Sequence, residues 1–125
     1  MARILIAEDD EAVRTFVSRA LMIDGHDIVT AEDGADALGV LSNDDKFDLL
    51  LSDIKMPVMD GIALALNVAR DYPHLSILLM TGYADQRERS DGLDKIVEDV
   101  VSKPFSLAQI REAVCETLEK ISRAA

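Results

Sequence analysis

A chain of 125 residues, about half of them apolar, suits one domain around one core, and with few aromatics and no tryptophan that core must be aliphatic. The net charge of −11 repels phosphate backbones and argues against nucleic-acid binding; most of it is ordinary solubilising acidity. No basic-then-apolar leader and no long apolar run marks secretion or a membrane span, so a cytoplasmic protein with no membrane contact is expected.

Strand and helix signals alternate along the chain. RILIA (3–7) is a short apolar strand. Asp10 caps a helix in which Val13, Phe16, Val17, Ala20 and Leu21 fall at helical spacing, and Asp24-Gly25 stops it. HDIVTA (26–31) is the second strand, and residues 33–41 form a short helix with Leu38 and Leu41 inward. FDLLLSD (47–53) is the third strand, an apolar run that ends in Ser52 and Asp53. Asp60 and Gly61 open a helix to about Asp71, which Tyr72-Pro73 ends. SILLMT (76–81) is the fourth strand. The charged segment 85–99 is weakly periodic and is assigned a short helix, followed by a fifth strand, VVS (100–102). Ser106 and Gln109 match a capping box, and Leu107, Ile110, Val114, Leu118 and Ile121 give the inner face of the last helix. Cys115, the lone cysteine, is a small core or flank residue of that helix. His26 and His74 read as surface histidines, and Met56 and Met59 as packing residues.

Five βα units with continuous apolar strands imply a parallel sheet covered by helices on both faces, a doubly wound α/β domain. In such folds ligands bind beyond the carboxyl ends of the strands. Strand one ends in Glu8, Asp9 and Asp10, strand three in Asp53, strand four in Thr81 and strand five in Lys103-Pro104. Alone, each has a plainer reading: a helix cap, a turn threonine, a solvated lysine. Together they form a site. Clustered carboxylates repel one another unless a cation joins them. Mg²⁺ suits carboxylate and carbonyl oxygens and keeps positions open for phosphate. Asp53 is then a nucleophile for a phosphoryl group, with Lys103 and the Thr81 hydroxyl stabilising its oxygens.

The order AEDD, LLLSDIKMPVMDG, LLMTGYAD and SKPF resembles the receiver domain of bacterial two-component response regulators, the CheY-like fold, over essentially the whole chain. The resemblance implies a (βα)5 flavodoxin/CheY-like sheet with strand order 2-1-3-4-5. It implies Asp53 as phosphoacceptor, Asp9 as direct Mg²⁺ ligand, Glu8 acting through water, and the backbone carbonyl of Lys55 as a further ligand. Thr81 is the switch hydroxyl, and Lys103 pairs with the phosphoryl oxygens, joined to Pro104 by a cis bond. Pro57, Gly61 and Pro104 are structural, with Gly61 allowing a tight turn after Asp53. The chain departs from the family at Val100, where an aromatic residue usually serves as the switch; Tyr83 is the alternative carrier of that coupling, or else simply lines the rim.

The same resemblance implies one receiver domain over 1–125 with no effector domain and a flexible tail at 122–125. The phosphodonor is a histidine kinase or histidine phosphotransfer protein. Output is a protein–protein contact made by the helix after Thr81, strand five and the last helix, in a monomer or weak dimer. At finer grain the chain resembles the CpdR-type single-domain regulators of alphaproteobacteria, adaptors of the ClpXP protease when unphosphorylated. That makes the ClpX unfoldase a candidate partner and Ala124-Ala125 a candidate degradation signal. Such a receiver is no enzyme beyond its own phosphorylation and dephosphorylation. The alternatives are a phosphorelay shuttle or sink, a phosphorylation-independent scaffold, and a Mg²⁺-dependent phosphatase. The last is disfavoured because Lys55 stands where such enzymes carry a second Asp. No phosphate-loop spacing supports nucleotide binding.

Overall fold

The computed structural model describes residues 2–82, 93 and 95–124. Five parallel strands form one sheet: β1 (Arg3–Ala7), β2 (Asp27–Ala31), β3 (Leu49–Asp53), β4 (Ser76–Thr81) and β5 (Asp99–Ser102), in the order β2-β1-β3-β4-β5. Among the described residues the helices are α1 (Glu11–Ile23), α2 (Gly34–Asn43), α3 (Gly61–Asp71) and α4 (Leu107–Ala124). Class and strand order are those the sequence predicts. The short helix expected over 85–99 falls largely outside the described residues; residues 95–98 are turn and bend, and Asp99 already belongs to β5.

Successive side chains of a strand point to opposite faces, so a strand covered on both sides must be apolar throughout. The central strands show this. Leu5, Ala7, Leu50, Ile77 and Leu79 enter one core cluster, which α2 and α3 close with Ala37, Leu41, Leu64, Ala65 and Val68. Ile4, Ile6, Leu49, Leu51, Leu78 and Met80 enter the other, which α1 and α4 close with Val17, Ala20, Leu21, Ile110 and Val114. Every one of these side chains is buried. The edge strands β2 and β5 are only partly covered and correspondingly mixed in sequence.

Each helix begins with a residue that satisfies its free amides. The Asp10 carboxylate accepts from the Ala12 and Val13 amides, Asp33 from Asp36, and Asp60 from Ala63. Ser106 and Gln109 exchange the two bonds of the expected capping box, at 3.0 and 2.7 Å. Such caps contribute about 1 kcal/mol each. In βα order, these helix starts gather at the edge where the strands end.

Several boundaries differ from expectation. β2 begins at Asp27, because His26 is engaged by the Ala2 amide, which donates to its Nδ1 at 3.1 Å. β3 begins at Leu49, because buried Phe47 turns under the Arg3 guanidinium, 4.3 Å from its ring centre. Leu107, predicted inward, is exposed, while Thr117 takes a buried place on α4. The Thr117 hydroxyl donates to the Ala113 carbonyl at 2.9 Å, so its polar atom is satisfied within its own helix. Residues 122–124, expected as tail, form the end of α4. Cys115 is exposed on that helix.

Candidate functional site

Register brings the strand-end residues together. Ala7 pairs with Ser52, so Glu8 and Asp53 emerge side by side. Asp53 pairs with Met80, and Thr81 with Ser102. The chain therefore reaches Lys103 two residues, roughly 7 Å, beyond the level of Asp53. Only a long side chain can reach back. The Lys103 Nζ does so, lying 3.2 Å from Asp53 Oδ2 and 3.2 Å from Glu8 Oε2. The Lys103 amide donates to the Thr81 carbonyl at 2.7 Å, which ties β5 to β4 at this edge.

Glu8 is fixed at every polar atom. Its amide donates to the Ala31 carbonyl at 3.1 Å. Its carbonyl accepts from Arg14, Oε1 from the Asp10 amide, and Oε2 from Lys103. Asp53 is nearly as constrained: the Ile54 amide donates to Oδ1 at 2.9 Å, and the Ser52 hydroxyl donates to the Asp53 carbonyl at 2.8 Å. Asp9 is exposed. Carboxylate oxygens of Glu8, Asp9 and Asp53 lie within 4.8 Å of one another. Beside them a cavity of about 650 Å³ opens, with Lys55, Gly82 and Lys103 also on its wall.

Burial first, and then the Asp53 charge, push the Glu8 carboxyl up to about 7, although Lys103 pulls the other way. Asp53 is raised as well, by burial against the opposing pull of Lys103. Burial alone lowers Lys103, but Asp53 and Glu8 outweigh it, so its net pKa is raised and it stays an ammonium. A carboxyl with a higher pKa folded than unfolded favours folding while protonated. Its contribution is present below the ordinary Glu value of 4.5 and is lost as pH climbs to about 7. His26, lowered by burial and by the N-terminal charge, acts with the opposite sign in the same window. The measurable quantity is therefore the difference between the native chain and Glu8→Gln in metal-free denaturant unfolding. Glu8→Gln should gain roughly 2–3 kcal/mol on the native chain between pH 5 and 8. A flat difference would mean that Glu8 titrates normally.

Of the predicted residues, Glu8, Asp9, Asp53, Lys55 and Lys103 share the cavity wall, and Pro104 borders it. Thr81 is buried at the end of β4, with Gly82 on the wall beside it. The Lys103–Pro104 bond is cis. Val100 lies away from the cavity, opposite Leu79 and against the α2–α3 core. Tyr83 lies outside the described residues. Gly61 differs in its reason: its backbone is not left-handed, and a Cβ there would fall 2.0 Å from the Asp53 carbonyl oxygen. The turn after Asp53 is made instead at Val58, whose φ of 68° and 84 % exposure accompany a 2.7 Å bond from the Met59 amide to the Pro57 carbonyl. Sequence reasoning also assigned no part to Arg14 or to the Phe16–Phe105 ring pair, 6.4 Å between centroids. For Phe105, adjacency to Lys103-Pro104 was the available signal.

The donor set is all oxygen, partly exposed and anionic, which fits a hard divalent cation such as Mg²⁺ and offers nothing to a soft one.

Residues 4–115 match the sequence model of the response regulator receiver domain. The chain is 35% identical over 113 residues to the response regulator protein FleR of Pseudomonas aeruginosa, covering 90% of this chain and 24% of that protein. It is 32% identical over 120 residues to the response regulator MprA of a Mycobacterium species, covering 96% of this chain and 52% of that protein. It thus spans between a quarter and about half of these relatives. Among solved structures, a CheY-like receiver domain protein from Methanospirillum hungatei superposes with a TM-score of 0.89 at 27% identity, covering 100% of this chain and 99% of that one. The response regulator TrrA of Thermotoga maritima, solved in complex with Mg(2+)-BeF, gives 0.82 at 30% identity, covering 93% and 98%. No helix among the described residues is long and apolar enough to cross a membrane.

Proposed function

Because the chain belongs to the response regulator receiver domain family, we propose that it is a phosphorylation switch with Asp53 as acceptor and a protein contact as output. Receiver domains are phosphoacceptors served by histidine kinases. One observation carries the assignment of Asp53: of the two buried carboxylates that Lys103 reaches back to hold on the wall of the open cavity, its side chain is the more open, 8 % exposed against 1 % for Glu8.

The residues divide the work. Oδ1 of Asp53 is occupied by the Ile54 amide, which leaves Oδ2 as the attacking atom. As the O–P bond forms, the P–N bond of a donor phosphohistidine breaks, and the imidazole leaves with a proton from solvent. No base is needed, because the nucleophile is already ionised. Lys103 moves with the charge from Oδ2 onto a phosphoryl oxygen. Thr81 supplies the hydroxyl that turns toward the new group. Asp9, Asp53 and the Lys55 carbonyl, with Glu8 through water, would hold Mg²⁺, which would neutralise phosphoryl oxygens; that TrrA was solved in complex with Mg(2+)-BeF supports a role for Mg²⁺ here. Val13, Phe16, Pro104 and Phe105 give the cavity an apolar wall suited to the helix that carries the donor histidine. Turnover of external phosphoesters is disfavoured, since exposed Lys55 stands where an acid would be needed.

Intact-mass spectrometry with a small phosphodonor, and with a histidine kinase as donor, tests the reading. One phosphoryl adduct that requires Mg²⁺ supports it; no adduct from either donor overturns it.

At finer grain we propose a cytoplasmic CpdR-like adaptor that engages ClpX while Asp53 is unphosphorylated, acting as a monomer or weak dimer. Its support is the sequence resemblance, and the names of FleR and MprA say nothing of proteolysis. Immobilised chain should retain purified ClpX, and release it several-fold on phosphorylation. Equal retention of both forms would remove ClpX as the output.

A further inference from the structure

Arg14, half-buried in α1, lies outside the charge cluster around Asp53, yet it holds the turn on which that cluster depends. Its amide donates to the Asp10 carbonyl at 2.8 Å, and its Nη1 donates to the Glu8 carbonyl at 2.8 Å. One residue thus grips both ends of Glu8–Asp9–Asp10. The Arg14 carbonyl is itself held, accepting from the hydroxyl of buried Ser18 at 2.7 Å. The bond from the Asp10 amide to Glu8 Oε1, 3.2 Å, closes the same turn from inside. Asp9 sits at its centre. Among the described residues no hydrogen bond holds the Asp9 carboxylate, although an oxygen of it lies within 4.8 Å of those of Glu8 and Asp53. A ligand with no bond of its own is placed by its backbone alone.

We propose that Arg14 is a positioning residue. By bonding the Glu8 carbonyl it fixes the peptide plane between Glu8 and Asp9, and so sets the direction from which the Asp9 carboxylate meets that of Asp53. The inference rests on reading Glu8, Asp9 and Asp53 as a divalent-cation site. It has two rivals with different signatures. If Arg14 acted only as a charge, it would repel a dication, and its removal would tighten binding. If it served only to anchor α1, its removal would lower stability and leave affinity alone.

The test is a Mg²⁺ titration of the unphosphorylated full chain, followed by backbone amide shifts, for the native protein, Arg14→Ala, Arg14→Lys and Asp9→Asn. Arg14→Ala should weaken Mg²⁺ binding about tenfold, which corresponds to about 1.4 kcal/mol. It should speed exchange of the Asp10 amide in the metal-free chain and move the unfolding midpoint by only a few degrees. Arg14→Lys keeps one donor within reach and should recover part of the affinity. Tighter binding in Arg14→Ala, or unchanged affinity with a large loss of stability, overturns the proposal. If Arg14→Ala does not fold, Arg14→Met, which keeps the aliphatic stem and loses every donor, carries the test: weaker Mg²⁺ binding with faster Asp10 exchange supports the proposal, and native or tighter binding overturns it. Should Asp9→Asn bind Mg²⁺ as the native chain does, the metal-site reading fails and takes this inference with it. That result differs from native binding abolished by Asp9→Asn yet indifferent to Arg14.

Discussion

Asp53→Ala is expected to abolish the phosphoryl adduct and to leave the protein at least as stable as the native chain. The first half follows if Asp53 is the only nucleophile. Glu8 is 1 % exposed against 6 % for Asp53, and Asp9 stands on the rim with no contact to Lys103 among the described residues. The second half is less usual for a buried ionic residue, because breaking one partner out of an ion pair normally leaves an uncompensated charge. Here it does not. Lys103 keeps Glu8 at 3.2 Å, and Glu8 loses the anion that, after burial, does most to raise its pKa. Asp53 itself is ionised at a cost, since burial raises its pKa. The side chain borders an open cavity, so its removal leaves no sealed void. A gain of about 1 kcal/mol, or roughly 3–5 °C in the unfolding midpoint, is expected. Full labelling of the variant would place the acceptor elsewhere. A fall of many degrees would show instead that the Asp53–Lys103 pair holds the end of the sheet together.

The strands and the candidate acceptor were legible because both are written in residue type. A run such as Leu49–Leu51 can be satisfied only by burial on two faces, and a carboxylate placed at its end needs a reason. Asp10, Asp33 and Asp60 mark helix starts because a short acceptor side chain is what free amides require. Other features carry no such mark. The bond from Arg14 to the Glu8 carbonyl depends on a backbone atom, which no residue type advertises. The two-residue offset that makes Lys103 reach back is a property of register, and register is a property of the sheet as a whole. Thr117 carries no inward mark because its hydroxyl bonds within its own helix, and Leu107 misleads because a leucine in a first turn need not face the sheet. Val58 is the sharpest case. A β-branched residue is a poor choice for positive φ, so the sequence points to Gly61 for a turn that Val58 makes. The strain, on the order of 1–3 kcal/mol, sits five residues from Asp53, in the loop that joins β3 to α3.

With the turn made at Val58, Gly61 has a different task, and its substitution has a large expected effect. Gly61→Ala should cost about 3 kcal/mol or more and slow phosphorylation at least tenfold. Gly61 opens α3, and its amide donates to the Ile54 carbonyl at 2.7 Å, which draws the helix start onto the end of β3. An added Cβ would lie 2.0 Å from the Asp53 carbonyl oxygen and 2.9 Å from both the Asp53 carbonyl carbon and the Ile54 Cα. All three neighbours are backbone, so no side-chain rotation can give way. Overpacking of this kind costs 1–3 kcal/mol where some relief exists, and here relief means shifting Asp53 or the whole start of α3. A shift of Asp53 would also disturb the Ile54 amide that orients Oδ1, and misplacement by about 1 Å can cost a hundredfold in rate. Gly39→Ala is the control. Gly39 also lies in a helix, but a Cβ there meets nothing within 4 Å, so the substitution should stabilise by about 0.5–1 kcal/mol through the usual helix preference. Opposite signs for the same chemical change would locate the cost in the contact with Asp53. If both variants were stabilised, the α3 start would have moved aside, and the labelling rate of Gly61→Ala would then report whether Asp53 moved with it.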